Sequence, residues 1–273
     1  MLLKIKNAIL FVILLYSGST VSCKKYLEAK PNQQLVIPTT VRDLQSLLDN
    51  YAVINHNNPA TDEICSDNYY VTTADFNALR VETERRTYLW EKENLFLAGN
   101  SNDWARTYNK LNYANIVLNE INKIQRTPGD QESWNILKGH AMFTRAFSFL
   151  QVAFIWSLAY DKQTAAADLG IPLRLDPDFN PPSVRSTVQQ TYDQIINDLK
   201  EAGNLLPVIP VHMVRPSKAA AWALLARTYL SMREYDSAGK YADMSLQLKN
   251  DLLDYNDLPN PAAAFPFTRF SKE

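Results

Sequence analysis

The stretch that most constrains this chain runs from Arg215 to Leu248, RPSKAAAWALLARTYLSMREYDSAGKYADMSLQL, because its spacing fits two short helices folded back on each other. Pro216 and Ser217 mark a start, since a serine hydroxyl accepts from the exposed amides of the helix that Lys218 and Ala219 open. Ala221, Leu224, Leu225 and Tyr229 share one face, and Ala219, Ala223 and Ala226 keep another thin enough for a neighbouring helix. The chain turns after Met232, Arg233 and Glu234. Asp236 is then placed to cap, and Tyr235, Ala238, Ala242 and Leu246 form the inner face of a second helix. One such hairpin cannot bury its own faces, so it requires further helices.

Small residues at fixed spacing, a Tyr before the turn and Tyr-x-x-Ala after it resemble a tetratricopeptide repeat. Upstream segments supply partners. Thr40 and Asp43 have capping spacing ahead of an apolar stripe of Val41, Leu44, Leu48 and Tyr51. A helix is expected over Trp104–Ile124 with Asp103 as its cap, and a longer one over Glu132–Tyr160, where Ile136, His140, Phe143, Phe147, Leu150 and Phe154 step by three and four. Thr187 and Gln190 form a capping box before Val188, Tyr192, Ile195, Ile196, Leu199 and Ala202, with Gly203 and Pro207 closing that helix.

Between these segments periodicity fails. Residues 56–77, HNNPATDEICSDNYYVTTADFN, are rich in turn formers, and 80–100 read as largely irregular. The connector 161–185 carries Pro172, Pro177, Pro181 and Pro182, which excludes a continuous helix. Past Asn250 the pattern is lost again, without the cap that a helical stack normally carries. The expected fold is therefore all-α, a tetratricopeptide-like helical repeat scaffold with long irregular loops.

With 273 residues, 46% of them apolar, the chain can bury a substantial core without disulfide or metal. A net charge of -1 leaves no basic excess for phosphates and argues against nucleic acid. Cys23 and Cys65 are too few for a disulfide framework and wrongly spaced for zinc.

Lys4 and Lys6 precede the apolar run Ala8–Tyr16, and small and polar residues then lead to Cys23, the layout of a secretory signal over residues 1–22. Thr20-Val21-Ser22-Cys23 resembles a lipobox, with Thr20 where Leu is usual, which makes Cys23 the lipid attachment residue of a bacterial lipoprotein; a conventional signal peptide with Cys23 as an ordinary residue is the other reading. Residues 23–38, aperiodic and containing Pro31-Asn32-Gln33-Gln34, read as a flexible tether to a helical domain over 39–273. Loss of Lys4 and Lys6 would take the charge from -1 to -3.

Several motifs in order carry a resemblance to one family: Cys23-Lys-Lys-Tyr-Leu-Glu28, Asn112-Tyr-Ala-Asn-Ile-Val-Leu118, Arg145-Ala-Phe-Ser-Phe-Leu150, Gly170-Ile-Pro-Leu-Arg174, the run Thr187–Leu206, Arg215-Pro-Ser-Lys-Ala-Ala220 and Ala226-Arg-Thr-Tyr-Leu230. Together they resemble the SusD/RagB family of outer-membrane nutrient-binding lipoproteins. The resemblance implies a non-catalytic protein, lipid-anchored in the outer membrane and surface-exposed. It would bind oligosaccharide and deliver it to a TonB-dependent transporter of the SusC type. Family members are longer, so it also implies a chain truncated at its C-terminus. The competing reading from the repeats alone is an interaction scaffold for a peptide or partner subunit.

Glycan capture needs flat aromatic faces beside polar groups that bond hydroxyls. Asp67, Asn68, Tyr69, Tyr70, Phe76 and Asn77 supply that mixture and are the candidate ligand-binding residues, although the same aromatics also suit a purely structural role pinning the loop to helices. Trp90 and Trp104 read as core anchors, Arg145 and Arg227 as structural cations, and His140 as a satisfied core histidine. The carboxylates of Asp62, Glu63, Glu91 and Glu93 read as solvated rather than as a hydrolytic pair. No catalytic residue, metal site or cofactor is expected.

Overall fold

In the computed structural model of the protein, residues 38–257 are described except 57, 94, 96–101, 126–127, 179 and 253. The signal peptide, Cys23 and the tether up to residue 37 lie outside the described residues. So does the tail from 258.

The described chain runs α1 (Val41–Leu48), α2 (Tyr51–Ile54), α3 (Thr61–Ile64), α4 (Thr73–Ala78), α5 (Glu82–Tyr88), α6 (Asp103–Glu120), α7 (Gln131–Trp156), β1 (Leu169–Pro172), β2 (Arg185–Thr187), α8 (Val188–Leu205), α9 (Lys218–Ser231) and α10 (Tyr235–Leu246). The fold is the all-α, tetratricopeptide-like scaffold expected. Each long helix packs on the next: α6 on α7, α7 on α8, α8 on α9 and α9 on α10, with α1 laid across α6 and α7. The main core joins Leu111, Phe149, Val152, Ile195, Leu199 and Leu225, and a second cluster under α1 joins Leu44, Leu48, Val117 and Leu137.

Local chemistry sets the helix starts. Thr40 accepts from the Asp43 amide at 3.1 Å and Asp43 answers the Thr40 amide at 3.0 Å, closing one capping box; Thr187 and Gln190 close another. Ser217 accepts from the Ala220 amide and starts α9, as its position before Lys218 suggests. The α9–α10 turn passes through Arg233 at φ 63°, and its guanidinium donates to the Tyr160 carbonyl at 2.6 Å.

Several expectations fail for physical reasons. Asn102, not Asp103, caps α6, because Asp103 is recruited by a distant segment. Glu234 precedes α10 with no side-chain cap, and Tyr235 and Leu246 are exposed, leaving Ala238 as the buried residue of that helix. Ala223 is also exposed. The close helix approach lies instead at Gly203, inside α8 rather than at its end, where an added Cβ would fall 2.3 Å from the Trp222 ring. The proline-rich connector contributes β1 and β2, paired antiparallel with Leu169 opposite Thr187 and Pro172 opposite Arg185. Residues 56–77 and 80–100 are not wholly irregular, since they hold α3, α4 and α5. No helix among the described residues is long and apolar enough to cross a membrane.

Candidate functional site

The candidate residues belong to a small module over residues 61–91. Its root is Asp103 at the start of α6: Oδ2 accepts from the Ala60 amide (2.9 Å), the Thr61 amide (3.0 Å) and the Thr61 hydroxyl (2.7 Å), which fixes the entry to α3. The carbonyls at the other end of α3 then hold two aromatic side chains. Ile64 O accepts from the Tyr69 hydroxyl at 2.8 Å and the neighbouring Cys65 O from the Trp90 indole at 2.9 Å. Adjacent carbonyls thus anchor both side chains at the same end of α3.

Inside it, the Tyr88 hydroxyl accepts from the Val71 amide at 3.1 Å, and the Tyr88 ring sits 6.1 Å from Tyr69 and 5.9 Å from Phe76. Thr72 caps α4 by accepting from the Asp75 amide. Arg85 closes that helix from outside, donating to the carbonyls of Phe76, Asn77 and Leu79 while Glu82 pairs with Arg85 at 3.2 Å and Arg86 at 3.1 Å. Those two cations hold the Glu82 carboxyl below the usual range. Partial burial and the neighbouring Tyr88 ring raise the Tyr69 hydroxyl, so it stays a neutral donor.

The candidates therefore divide. Phe76 is half-buried against Tyr88 and is part of the module's own packing. Tyr69 is held at its hydroxyl yet 43% exposed, and Tyr70 is 83% exposed. Asp67, Asn68 and Asn77 are exposed, and Asn68 Oδ1 accepts from the Ser66 hydroxyl. Trp90, read from sequence as a core anchor, is 67% exposed at φ 55°, with its indole fixed by Cys65. A Trp between a charged helix and Glu91-Lys92-Glu93 was the available signal. The exposed aromatic side chains of the module are thus Tyr69, Tyr70 and Trp90.

Elsewhere the readings of polar residues hold. Arg145 makes a two-armed contact to Asp198, Nε to Oδ2 at 2.7 Å and an Nη2 to Oδ1 at 2.8 Å, and reaches Asn115. Burial pushes the Asp198 carboxyl up, and Arg145 pulls against it. His140 is buried and its Nδ1 accepts from Gln45 at 3.2 Å; loss of solvation pushes its pKa down to about 4, so the ring is neutral. Arg227 lies 5.5 Å over the Phe154 ring instead of meeting a carboxylate. Asp62, Glu63, Glu91 and Glu93 are exposed. Sequence reasoning missed Lys110, which is fully buried, donates to Asn58 Oδ1 at 2.5 Å, lies 5.4 Å from the Phe147 ring and has its pKa lowered by burial to about 8.

A larger cleft, about 820 Å³, lies between α1 and the loop before α9. Across it Arg215 grips Asp49 through two bonds of 2.8 and 2.6 Å, and Gln45 links Asp49 to His140. Among the described residues no group of three or more His, Cys, Asp or Glu side chains is placed to hold a metal.

Solved structures with the same fold include SusD superfamily proteins from Bacteroides thetaiotaomicron (24% identical, TM-score 0.64, covering 81% of this chain and 50% of that one) and from Bacteroides vulgatus (25%, 0.60, 80% and 50%). A SusD-like carbohydrate binding protein from Bacteroides vulgatus is 23% identical with TM-score 0.57, covering 81% and 48%. The chain thus spans about half the length of these proteins. No curated protein sequence matches it. Residues 25–230 match a SusD-like family described as "Starch-binding associating with outer membrane". With most of its length under that match, this chain belongs to the SusD-like family.

Proposed function

We propose that this chain binds oligosaccharide without cleaving it, as part of a lipoprotein held at the outer membrane through Cys23. The bound sugar passes to a SusC-like, TonB-dependent transporter. Family membership supports the class, and the observation that carries the assignment to particular residues is the exposure of Tyr69, Tyr70 and Trp90, two of them anchored at adjacent carbonyls, which this reading takes together as one platform. A pyranose presents a C–H face that stacks on such rings and a hydroxyl rim that Asp67, Asn68 and Asn77 bond. Tyr69 and Trp90 are fixed before ligand arrives, so little ordering is required on binding. In this reading residues 1–22 are the signal, 23–38 the tether and the helical domain begins at 39. The carboxylates of Asp62, Glu63, Glu91 and Glu93 are solvent-exposed and are read as solvated rather than as a hydrolytic pair.

The test is an oligosaccharide array followed by calorimetry. Wild-type protein is expected to bind at least one glycan and release no product from it. Tyr70→Ala and Trp90→Ala should each weaken binding about tenfold, the loss of roughly 1–2 kcal/mol of ring contact. Full affinity in both variants overturns the platform, and product release overturns the non-catalytic reading. Co-purification of the lipidated chain with a transporter barrel tests the delivery step.

A further inference from the structure

A cleft of about 380 Å³ opens between the first half of α6 and the proline-rich connector, outside the 61–91 module. Its floor is aromatic. Trp104 and Tyr108, one turn apart on α6, have ring centroids 4.7 Å apart, and Trp156 meets Trp104 edge-on at 5.2 Å. Its walls are fixed, because the Tyr108 hydroxyl donates to the Pro172 carbonyl at 2.8 Å and the Asn115 amide to the Arg174 carbonyl at 2.7 Å. Arg174 in turn donates to the Pro181 carbonyl at 2.7 Å and braces the connector across the opening.

The rim, by contrast, holds polar groups with bonding capacity to spare. Asn109 and Asn112, three apart on α6, make no side-chain hydrogen bond among the described residues. Asp176 Oδ1 takes the Asp178 amide at 2.7 Å and Asp178 Oδ1 takes the Asn180 backbone and side-chain amides at 2.9 and 2.6 Å, so that among the described residues the second oxygen of each carboxylate accepts no hydrogen bond. Asp176 and Asp178 outnumber the one lining cation, Arg174, and so disfavour an anion. A purely apolar ligand would strip water from amides and carboxylates without replacing it. No metal-ligating group of three exists among the described residues. What fits aromatic floor and polar rim together is a neutral polyhydroxylated ring, with its C–H face on Trp104 and Tyr108 and its hydroxyls toward Asn109, Asn112, Asp176 and Asp178.

We infer that this cleft is a second sugar-ring subsite, separate from the Tyr70–Trp90 platform. It rests on the reading of the chain as glycan-binding. The cleft opens at the start of α6, where Trp104 follows directly on Asp103, the residue that fixes the entry to α3, whereas Tyr69 and Trp90 are held at the far end of α3.

The experiment uses the full chain labelled with 5-fluorotryptophan, each of its five tryptophans assigned by single Trp→Phe changes, and titrated separately with maltoheptaose, cellohexaose, laminarihexaose and xylohexaose. Saturable shifts of both the Trp90 and Trp104 signals with one sugar are expected. Asn109→Ala/Asn112→Ala should weaken the Trp104 response at least tenfold and leave that of Trp90, with Asp176→Asn/Asp178→Asn as a second variant on the opposite rim. A moving Trp90 signal beside a silent Trp104 overturns the cleft and spares the platform. A moving Trp104 beside a silent Trp90 supports the cleft and overturns the platform. Silence of both with all four sugars overturns the glycan reading and this subsite with it, and a Trp104 shift that both rim variants leave intact overturns the hydroxyl contacts assigned here.

Discussion

The α6–α10 stack and the 61–91 module hold their shapes by opposite means. The stack encloses an apolar core, and its buried polar groups are partnered too, Arg145 and Asp198 by each other and His140 by Gln45 of α1. The module buries no apolar side chain completely, Phe76 and Tyr88 being half-buried against each other. Thr87 is the buried residue of its helices, and its order comes from side chains reaching backbone groups: Tyr69 to Ile64, Trp90 to Cys65, Val71 to Tyr88 and Arg85 to the end of α4. Packing absorbs aromatic surface, whereas hydrogen bonds to ring edges leave the faces open. A region of the second kind can present Tyr70 and Trp90 to solvent without losing its form.

The contrast is most exposed to failure at Arg145. Replacing it with Met leaves Asp198 buried without its cation, and the loss should be about 3–5 kcal/mol in chemical denaturation. The double change Arg145→Met/Asp198→Leu removes both charges and should recover most of it, since a well-packed apolar pair can replace a buried ion pair. If the single variant is as stable as wild type, the stack does not depend on its internal partners as described.

Acid should act on the stack next. The unfolded His140 ring takes a proton near 6.5 and the folded one only near 4, so between those values the unfolded chain binds more protons. His140 therefore leaves stability intact above about pH 6.5 and lowers it as pH falls toward 4, by about 3 kcal/mol in all. The charges facing the ring, Asp49 and Arg215, work in opposite directions. His140→Gln should flatten this part of the stability profile; an unchanged slope would assign it to other groups. Lys110 adds a second dependence of the same sign, stability rising between about pH 8 and 10.5, and Lys110→Met should abolish it.

Smaller still is the effect of crowding the α8–α9 contact. Gly203→Ala puts a methyl group into the Trp222 ring, and the expected cost is about 1–3 kcal/mol with a shift in Trp222 fluorescence. Loss of neither would mean the two helices approach less closely.

How much of this was legible in the sequence follows the same division. Thr40, Thr187 and Ser217 were readable because a cap and its amide lie three residues apart, and the long helices because their apolar spacing repeats. The module was not, since helices of four to seven residues with no core face leave no period to detect. Long-range chemistry was hidden for another reason. Asp103 looks like a helix cap until Thr61, 42 residues away, claims it, and nothing local announces that Arg145 will meet Asp198 across 53 residues. Trp90 was misplaced because large apolar residues are usually inside, and only its fixed indole and open face show otherwise.

Two changes in the module bring the comparison to its smallest stability effects. Tyr88→Phe keeps the ring against Tyr69 and Phe76 but leaves the Val71 amide without its acceptor, which should cost about 1 kcal/mol, read as faster amide exchange at Val71 with the stack's protection unchanged. Tyr70→Ala should move global stability by no more than about 0.5 kcal/mol, because its ring is exposed and makes no hydrogen bond or ring contact among the described residues. The same substitution should nonetheless weaken glycan binding. A residue whose removal harms binding and spares folding is one whose surface is kept for a ligand; if Tyr70→Ala instead unfolds the module, its ring is a structural pin and the platform contracts to Trp90 and Tyr69.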